Sequence, residues 1–174
     1  MQRGDPMDTF ECIRKRRDIR DFIKKDVPDD VIKKIVEAGR LSPSAMNLQP
    51  WNFIVIKNNE TLRVLGEFCL SGRFIVGASF AVVVVTEPTN KWHEIDGARA
   101  VQNMALAAWN EGVGCCWIGA IDREKVKERL NIPKNLHVLT ILPFGYPEEF
   151  TVKRKKNRKK AEEVVHWEKF GVKL

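Results

Sequence analysis

No apolar stretch in this chain approaches the roughly 18 residues that a membrane-spanning helix requires. Phe80–Val85 is apolar throughout but has only the length of a strand. Met1–Met7 carries no apolar h-region, so no signal peptide is expected, and Met1–Pro6 reads as a dispensable extension before Met7. None of the cysteines, Cys12, Cys69, Cys115 and Cys116, stands in a C-x-x-C pair. They read as small buried hydrophobes of a reducing cytosol, and a vicinal Cys115–Cys116 disulfide would need an awkward backbone. His93, His137 and His166 show no metal-ligand spacing, so no metal is expected.

The common catalytic signatures are missing too. There is no P-loop, G-x-G-x-x-G, G-x-S-x-G or H-E-x-x-H. Gly112-Val113-Gly114 followed by Gly119 has the wrong spacing for a dinucleotide turn. No Ser/His/Asp set stands out, and most carboxylates fall on solvent faces of expected helices. Such a chain has little acid–base or nucleophilic equipment of its own. If it is an enzyme, a cofactor carries the chemistry and the protein supplies binding and electrostatics.

What is present suggests one soluble domain of 174 residues, with 44% apolar residues and no internal repeats. The net charge of +7 is concentrated in two places. Arg14-Lys15-Arg16-Arg17, with Arg20 just beyond, is the first. Lys153–Lys160, seven cations in eight positions, is the second. Each can be a solvated face or a tail. Basic tails also bind nucleic acid. A third possibility is that both clusters meet around one small polyanion.

Hydrophobic periodicity outlines an α+β fold. Asp8 or Thr9 caps a helix from Phe10 to about Arg17, with Phe10, Cys12 and Ile13 inward. Asp18–Phe22 alternates and is extended. Pro28-Asp29-Asp30 opens a helix to about Leu41. Strands are expected at 52–56, 81–86, 115–118 and 137–144, and helices at 61–69, 96–111 and 122–130. Ala81–Thr86 is apolar and β-branched, so it should be buried on both faces. The 96–111 helix is apolar nearly all round, so it should be central. Residues 148–160 are charged and coreless before Val164-Val165-His166-Trp167 turns apolar again, which reads as an arm docking elsewhere.

The most informative stretch is Leu41–Trp51. Pro43 and Pro50 stiffen it. Ser42, Ser44, Asn47 and Gln49 can read the edge of a small molecule, although a plain helix-to-strand connection has the same composition. Arg16, Arg17 and Arg20 can clamp a phosphate. Gly119, before the Asp122 helix start, lets a backbone N–H approach a ligand. Trp92 and His93 could border a site, though surface packing explains them as well.

The order of these features resembles the FMN-dependent nitroreductase family. Four stretches carry the resemblance, from about Asp8 to Phe170: Ile13–Phe22, Pro43–Trp51, Asp96–Ala108 with Gly112–Gly119, and Arg158–Glu168. The resemblance implies one nitroreductase-like domain over 1–174, with an extension at 1–7 and a C-terminal arm at 148–174. Its central sheet would be mixed but mainly antiparallel, flanked by helices, in a homodimer whose arms are exchanged. It implies FMN at the dimer interface. Arg16, Arg17, Asp18 and Arg20 would lie at the phosphate and ribityl chain, with Lys156 and Arg158 closing over them. Pro43, Ser44, Ala45, Met46 and Asn47 would come from the other subunit. Ile118 and Gly119 would line the flavin ring. The implied reaction is ping-pong: NADH or NADPH reduces the flavin, and a small acceptor such as a nitroaromatic or quinone then oxidises it. No side chain would be catalytic, and the protein would be cytoplasmic.

One residue departs from the pattern: Asp18 stands where the family usually has serine. A carboxylate beside a phosphate is repulsive unless neutralised. Either Asp18 pairs with Arg14, Arg17 or a tail lysine, or FMN binds more weakly. The short segments 69–81 and 87–92 suggest an open site. The competing readings are a non-catalytic basic module binding flavin or nucleic acid, and a family cousin performing dehalogenation, desaturation or flavin breakdown. Few aromatic-plus-basic alternations are present, so nucleic acid is the weaker partner.

Overall fold

The computed structural model describes residues 8–153 and 156–173, and gives the backbone alone for Phe150 and Thr151. The expected extension at 1–7, and Arg154 and Lys155 of the basic run, lie outside the described residues. The elements run α1 (Thr9–Lys15), α2 (Asp29–Arg40), β1 (Trp51–Ile56), α3 (Asn59–Glu67), β2 (Phe80–Thr86), α4 (His93–Asn110), β3 (Gly114–Cys115), α5 (Arg123–Arg129), β4 (His137–Gly145), α6 (Glu149–Val152) and α7 (Ala161–Val164). Short 3₁₀ turns occupy Ala45–Asn47 and Arg73–Gly77.

The sheet has strand order β1-β2-β4-β3, and every strand pair is antiparallel. The parallel component is a single bridge from Asp18 to Cys115. β2 organises the core. Phe80, Val82 and Val84 pack on one side with α2 and α4 residues such as Ile35 and Met104. Ala81, Val83 and Val85 pack on the other side with Leu62, Leu65, Ile75 and Val126. Burial on both faces is why the strand carries no polar alternation. Each fully buried valine contributes about 1.5–3 kcal/mol. Phe80 stacks on Phe144 of β4 with ring centroids 4.8 Å apart.

Helix starts follow side-chain capping. The Asp8 carboxylate accepts from Glu11 N–H at 3.0 Å, and that of Asp122 from Lys125 N–H at 3.2 Å. Asn58 accepts from Thr61 N–H at 2.9 Å, which starts α3 two residues before the expected Thr61. α4 begins three residues before the expected Asp96, so that carboxylate sits inside the first turn.

Two expectations fail. Cys12 is buried, but Phe10 is 71% exposed and Ile13 is half open, because none of the described residues covers that face of α1. The expected 115–118 strand is not continuous: its regular pairing with β4 covers Gly114–Cys115. The ladder breaks at Cys116-Trp117 and resumes at Ile118, which exchanges backbone hydrogen bonds with Ile141. There the Thr140 hydroxyl also donates to the Ile118 carbonyl at 2.9 Å.

Gly114 and Gly145 face each other across β3–β4, and their bare Cα atoms make room for the extended 18–22 segment. A Cβ on Gly114 would lie 2.7 Å from Ile19 Cβ, and one on Gly145 2.8 Å from Phe22 Cδ1. Ile19 N–H donates to the Cys115 carbonyl at 2.9 Å, and Ile23 N–H to the Tyr146 carbonyl at 2.9 Å. The arginine-bearing segment is thus laid over the sheet end by two glycines.

Candidate active site

The two basic clusters converge. Lys156 Nζ donates to the Ile13 carbonyl at 2.8 Å, bringing the C-terminal arm onto the end of α1. Burial lowers the Lys156 pKa below the usual lysine value, and the nearby guanidiniums of Arg17, Arg16 and Arg158 lower it further. Asp18 opposes them. Four cations drawn around one carboxylate repel one another, and a bound anion would relieve that repulsion. This donor set suits a phosphate dianion, and guanidiniums match its planar edges better than lysine does.

Neighbouring contacts decide what each cation is doing. Glu11 holds Arg14 at 2.8 and 3.0 Å and Lys15 at 2.9 Å. Those two cations hold the Glu11 carboxyl down at about 2. Arg17 Nη1 donates to the carbonyls of Arg14, Lys15 and Arg16, closing the end of α1. Asp18 pairs with Arg16, its Oδ1 2.8 Å from Nη1. That corrects the expected partner: Arg14 is taken by Glu11, Arg17 is turned to its own backbone, and Lys156 is on Ile13. Arg20 lies on the Cys116 side of the cradle, where its charge acts on that thiol beside those of Asp18 and Arg16. Its guanidinium lies 5.8 Å from the Phe74 ring centroid.

The loop after α2 is built differently. Met46, Asn47 and Gln49 have φ of 51°, 55° and 48°, in the left-handed region that side chains with a Cβ disfavour. Three such residues in four positions store backbone strain, which persists only where surrounding structure holds it. The holding groups come from α4. Asp96, 1% exposed, accepts from Ala45 N–H at 3.0 Å and from Arg99 at 3.3 Å. Asn103 Nδ2 donates to Ser42 Oγ at 2.7 Å. Ser44 Oγ accepts from Gln49 N–H at 2.9 Å. Ser42 and Ser44 therefore shape the loop. Pro43 and Met46–Gln49 are exposed, while Ala45 is half-buried.

Asp96 and Asn103 escaped the sequence reading. A carboxylate inside an otherwise apolar helix was the available signal. Replacing Asp96 with Ala is expected to remove about 1–3 kcal/mol by stranding a backbone donor. Thermal unfolding should show that loss, and limited proteolysis should show faster cleavage within 43–50. Unchanged cleavage would mean the loop holds its shape without the anchor.

Ile118 turns its side chain into the core against Gly72, so Gly119 is the open position of that pair. Among the described residues the Gly119 N–H has no protein acceptor, while its carbonyl accepts from Ile121 N–H at 3.1 Å. His93 is engaged by Thr86 Oγ1 at 2.9 Å and packs edge-on against His137, so packing explains it. Among the described residues no group of three or more His, Cys, Asp or Glu could hold a metal. No helix there is long and apolar enough to cross a membrane. All four cysteines are free and buried, and burial pushes Cys115 up to about 12.

Loop and cradle attach to α4 at different levels. The loop is tied at Asp96 and Asn103, whereas α1 touches the helix at the Leu106 carbonyl through Cys12 Sγ. The two loop anchors, Asp96 and Asn103, precede Leu106 by ten and three residues, about 15 and 4.5 Å of helix.

Comparison with known proteins identifies the family. The sequence profile of the nitroreductase family matches residues 13–88 and 72–146. A relative from Archaeoglobus fulgidus, designated an NADH dehydrogenase/NAD(P)H nitroreductase, is 36% identical over 80% of this chain and 87% of its own. The solved FMN-dependent nitroreductase from Clostridium difficile R20291 is 27% identical, covers 92% of this chain and 99% of its own, and superposes with a TM-score of 0.83. A nitroreductase family protein from Clostridium novyi NT is 27% identical over 97% of both chains, with a TM-score of 0.79. The chain belongs to the nitroreductase family.

Proposed function

We propose that this protein is an NAD(P)H-dependent flavin oxidoreductase that holds FMN between two copies of the chain. The observation that carries this reading is the convergence of Arg16, Arg17, Lys156 and Arg158 from opposite ends of the sequence. Family membership supports the activity, and the likeness to an FMN-dependent nitroreductase supports the flavin. Bound FMN would supply the redox chemistry, a ping-pong transfer of hydride from NADH or NADPH to a small acceptor such as a nitroaromatic or quinone.

The chain's own residues bind and orient. The three arginines and Lys156 hold the phosphate. The Gly119 N–H is available to the heterocycle, and the strained loop presents Asn47 in a fixed pose. In this reading the loop that meets the cradle comes from a second copy of the chain. The exposed apolar residues support pairing as well. Phe10 on α1, and Trp167 and Phe170 (93% exposed) on the arm, are large side chains left open in one chain. We assign the arm, 148–174, to docking on the partner subunit.

A visible spectrum taken with excess FMN tests the reading. Bound flavin should show perturbed bands that bleach anaerobically on adding NADH or NADPH. An unperturbed FMN spectrum, or bound flavin that neither nucleotide reduces, would overturn it.

A further inference from the structure

We propose that Asp18 sets the phosphate selectivity of the cradle, acting as an internal anion that competes with the ligand's phosphate for Arg16. The proposal rests on the flavin reading above and goes further, because it assigns to this residue a role opposite to that of its neighbours.

Three observations support it. First, the Asp18 backbone is fixed. It bridges Cys115, and the next residue, Ile19, is fully buried with its N–H on the Cys115 carbonyl. The carboxylate therefore cannot leave the cradle by a shift of the chain. Second, it is engaged with the cradle: Asp18 Oδ1 lies 2.8 Å from Arg16 Nη1. The Arg16 side chain is 19% exposed and that of Asp18 52%, so the arginine is the more enclosed partner and the acid stands at the mouth. Third, its field opposes the other groups. Arg16, Arg17 and Arg158 all push the Lys156 pKa down, and Asp18 pushes it up.

Four other nearby cations have partners of their own among the described residues. Arg14 and Lys15 belong to Glu11, Arg17 donates to three backbone carbonyls, and Lys156 donates to Ile13. Asp18 thus satisfies part of the charge that an incoming phosphate would otherwise neutralise. A phosphate must share Arg16 with a carboxylate or displace it, so some of the attraction of the four cations is cancelled before the ligand arrives. An unphosphorylated flavin incurs no such competition. The expected result is a cradle that binds FMN and riboflavin with more similar affinities than the four cations alone would produce.

Flavin fluorescence titration of the full-length protein, its Asp18→Ser and its Asp18→Asn variants, with FMN and with riboflavin, tests the proposal. Both variants should bind FMN about tenfold more tightly, the scale of one well-placed charge interaction, and should leave riboflavin binding within about twofold of wild type. The FMN gain should shrink as salt is raised. The side chain is half exposed, so both variants should still fold, with an unfolding temperature within about 4 °C of wild type. An unchanged FMN affinity, or an equal gain for riboflavin, would overturn the role of Asp18 while leaving the flavin reading intact. Failure of wild type and variants alike to bind either flavin would overturn both.

Discussion

Arg16→Ala is expected to weaken FMN binding about 100-fold, the loss of a charge-assisted contact worth about 1.5–3 kcal/mol. Arg16 is the cradle member whose loss does the most harm. It is largely enclosed, it is paired to Asp18, and it contributes to the field that depresses Lys156. Its removal also leaves the Asp18 carboxylate facing the phosphate with no guanidinium between them. Riboflavin binding should fall far less, since it makes no phosphate contact. Arg16→Lys should lie between, keeping the charge and losing the planar fork. Fluorescence titration measures all three. A Kd for FMN within threefold of wild type in Arg16→Ala would remove Arg16 from the site.

Gly114→Ala is expected to be the most damaging glycine-to-alanine change among the described residues. Its Cβ would be placed 2.7 Å from the Cβ of Ile19, which is completely buried. Neither side can yield cheaply, because Gly114 is paired to Gly145 and Ile19 is tied to the Cys115 carbonyl. Overpacking of this kind costs about 3 kcal/mol, a fall in Tm of roughly 6–12 °C for a chain of this size. Any variant that still folds must lift the 18–22 segment, so FMN affinity should fall with stability. Gly112→Ala is a useful contrast. Gly112 has φ of +73° and no atom within 4 Å of the added methyl, so its cost is backbone strain alone, with no effect on the cradle. A Gly114→Ala protein melting within about 2 °C of wild type would show that the segment is looser than its contacts imply.

The parts of the fold that were legible in the sequence are those where one chain alone decides burial. The apolar run of β2 announced a strand covered on both faces, and it is. Asp8 and Asp122 announced helix starts, and both side chains make the capping bond. Phe10 and Ile13 misled, because an apolar stripe looks the same whether the covering surface belongs to this chain or to another. Cys116 and Trp117 read as strand by residue type, yet the ladder breaks there, which pattern alone does not report. In the site, the grouping of the basic clusters was open to inference from charge repulsion. The partner of Asp18 was not, because it depended on Glu11 occupying Arg14 and Lys15. The left-handed backbone at Met46, Asn47 and Gln49 was equally hidden. None of the three is glycine, and the anchors that hold them lie about fifty residues further along the chain.

The large apolar side chains left open on α1 and on the arm give the proposed pairing a thermodynamic consequence. A ligand that needs the cradle of one chain and the loop of another links its own occupancy to the association of the chains. By reciprocity, flavin then strengthens pairing by the same factor that pairing strengthens flavin. The colour of such a protein is a function of its concentration: dilution separates the chains and releases cofactor together, and added flavin opposes both by mass action.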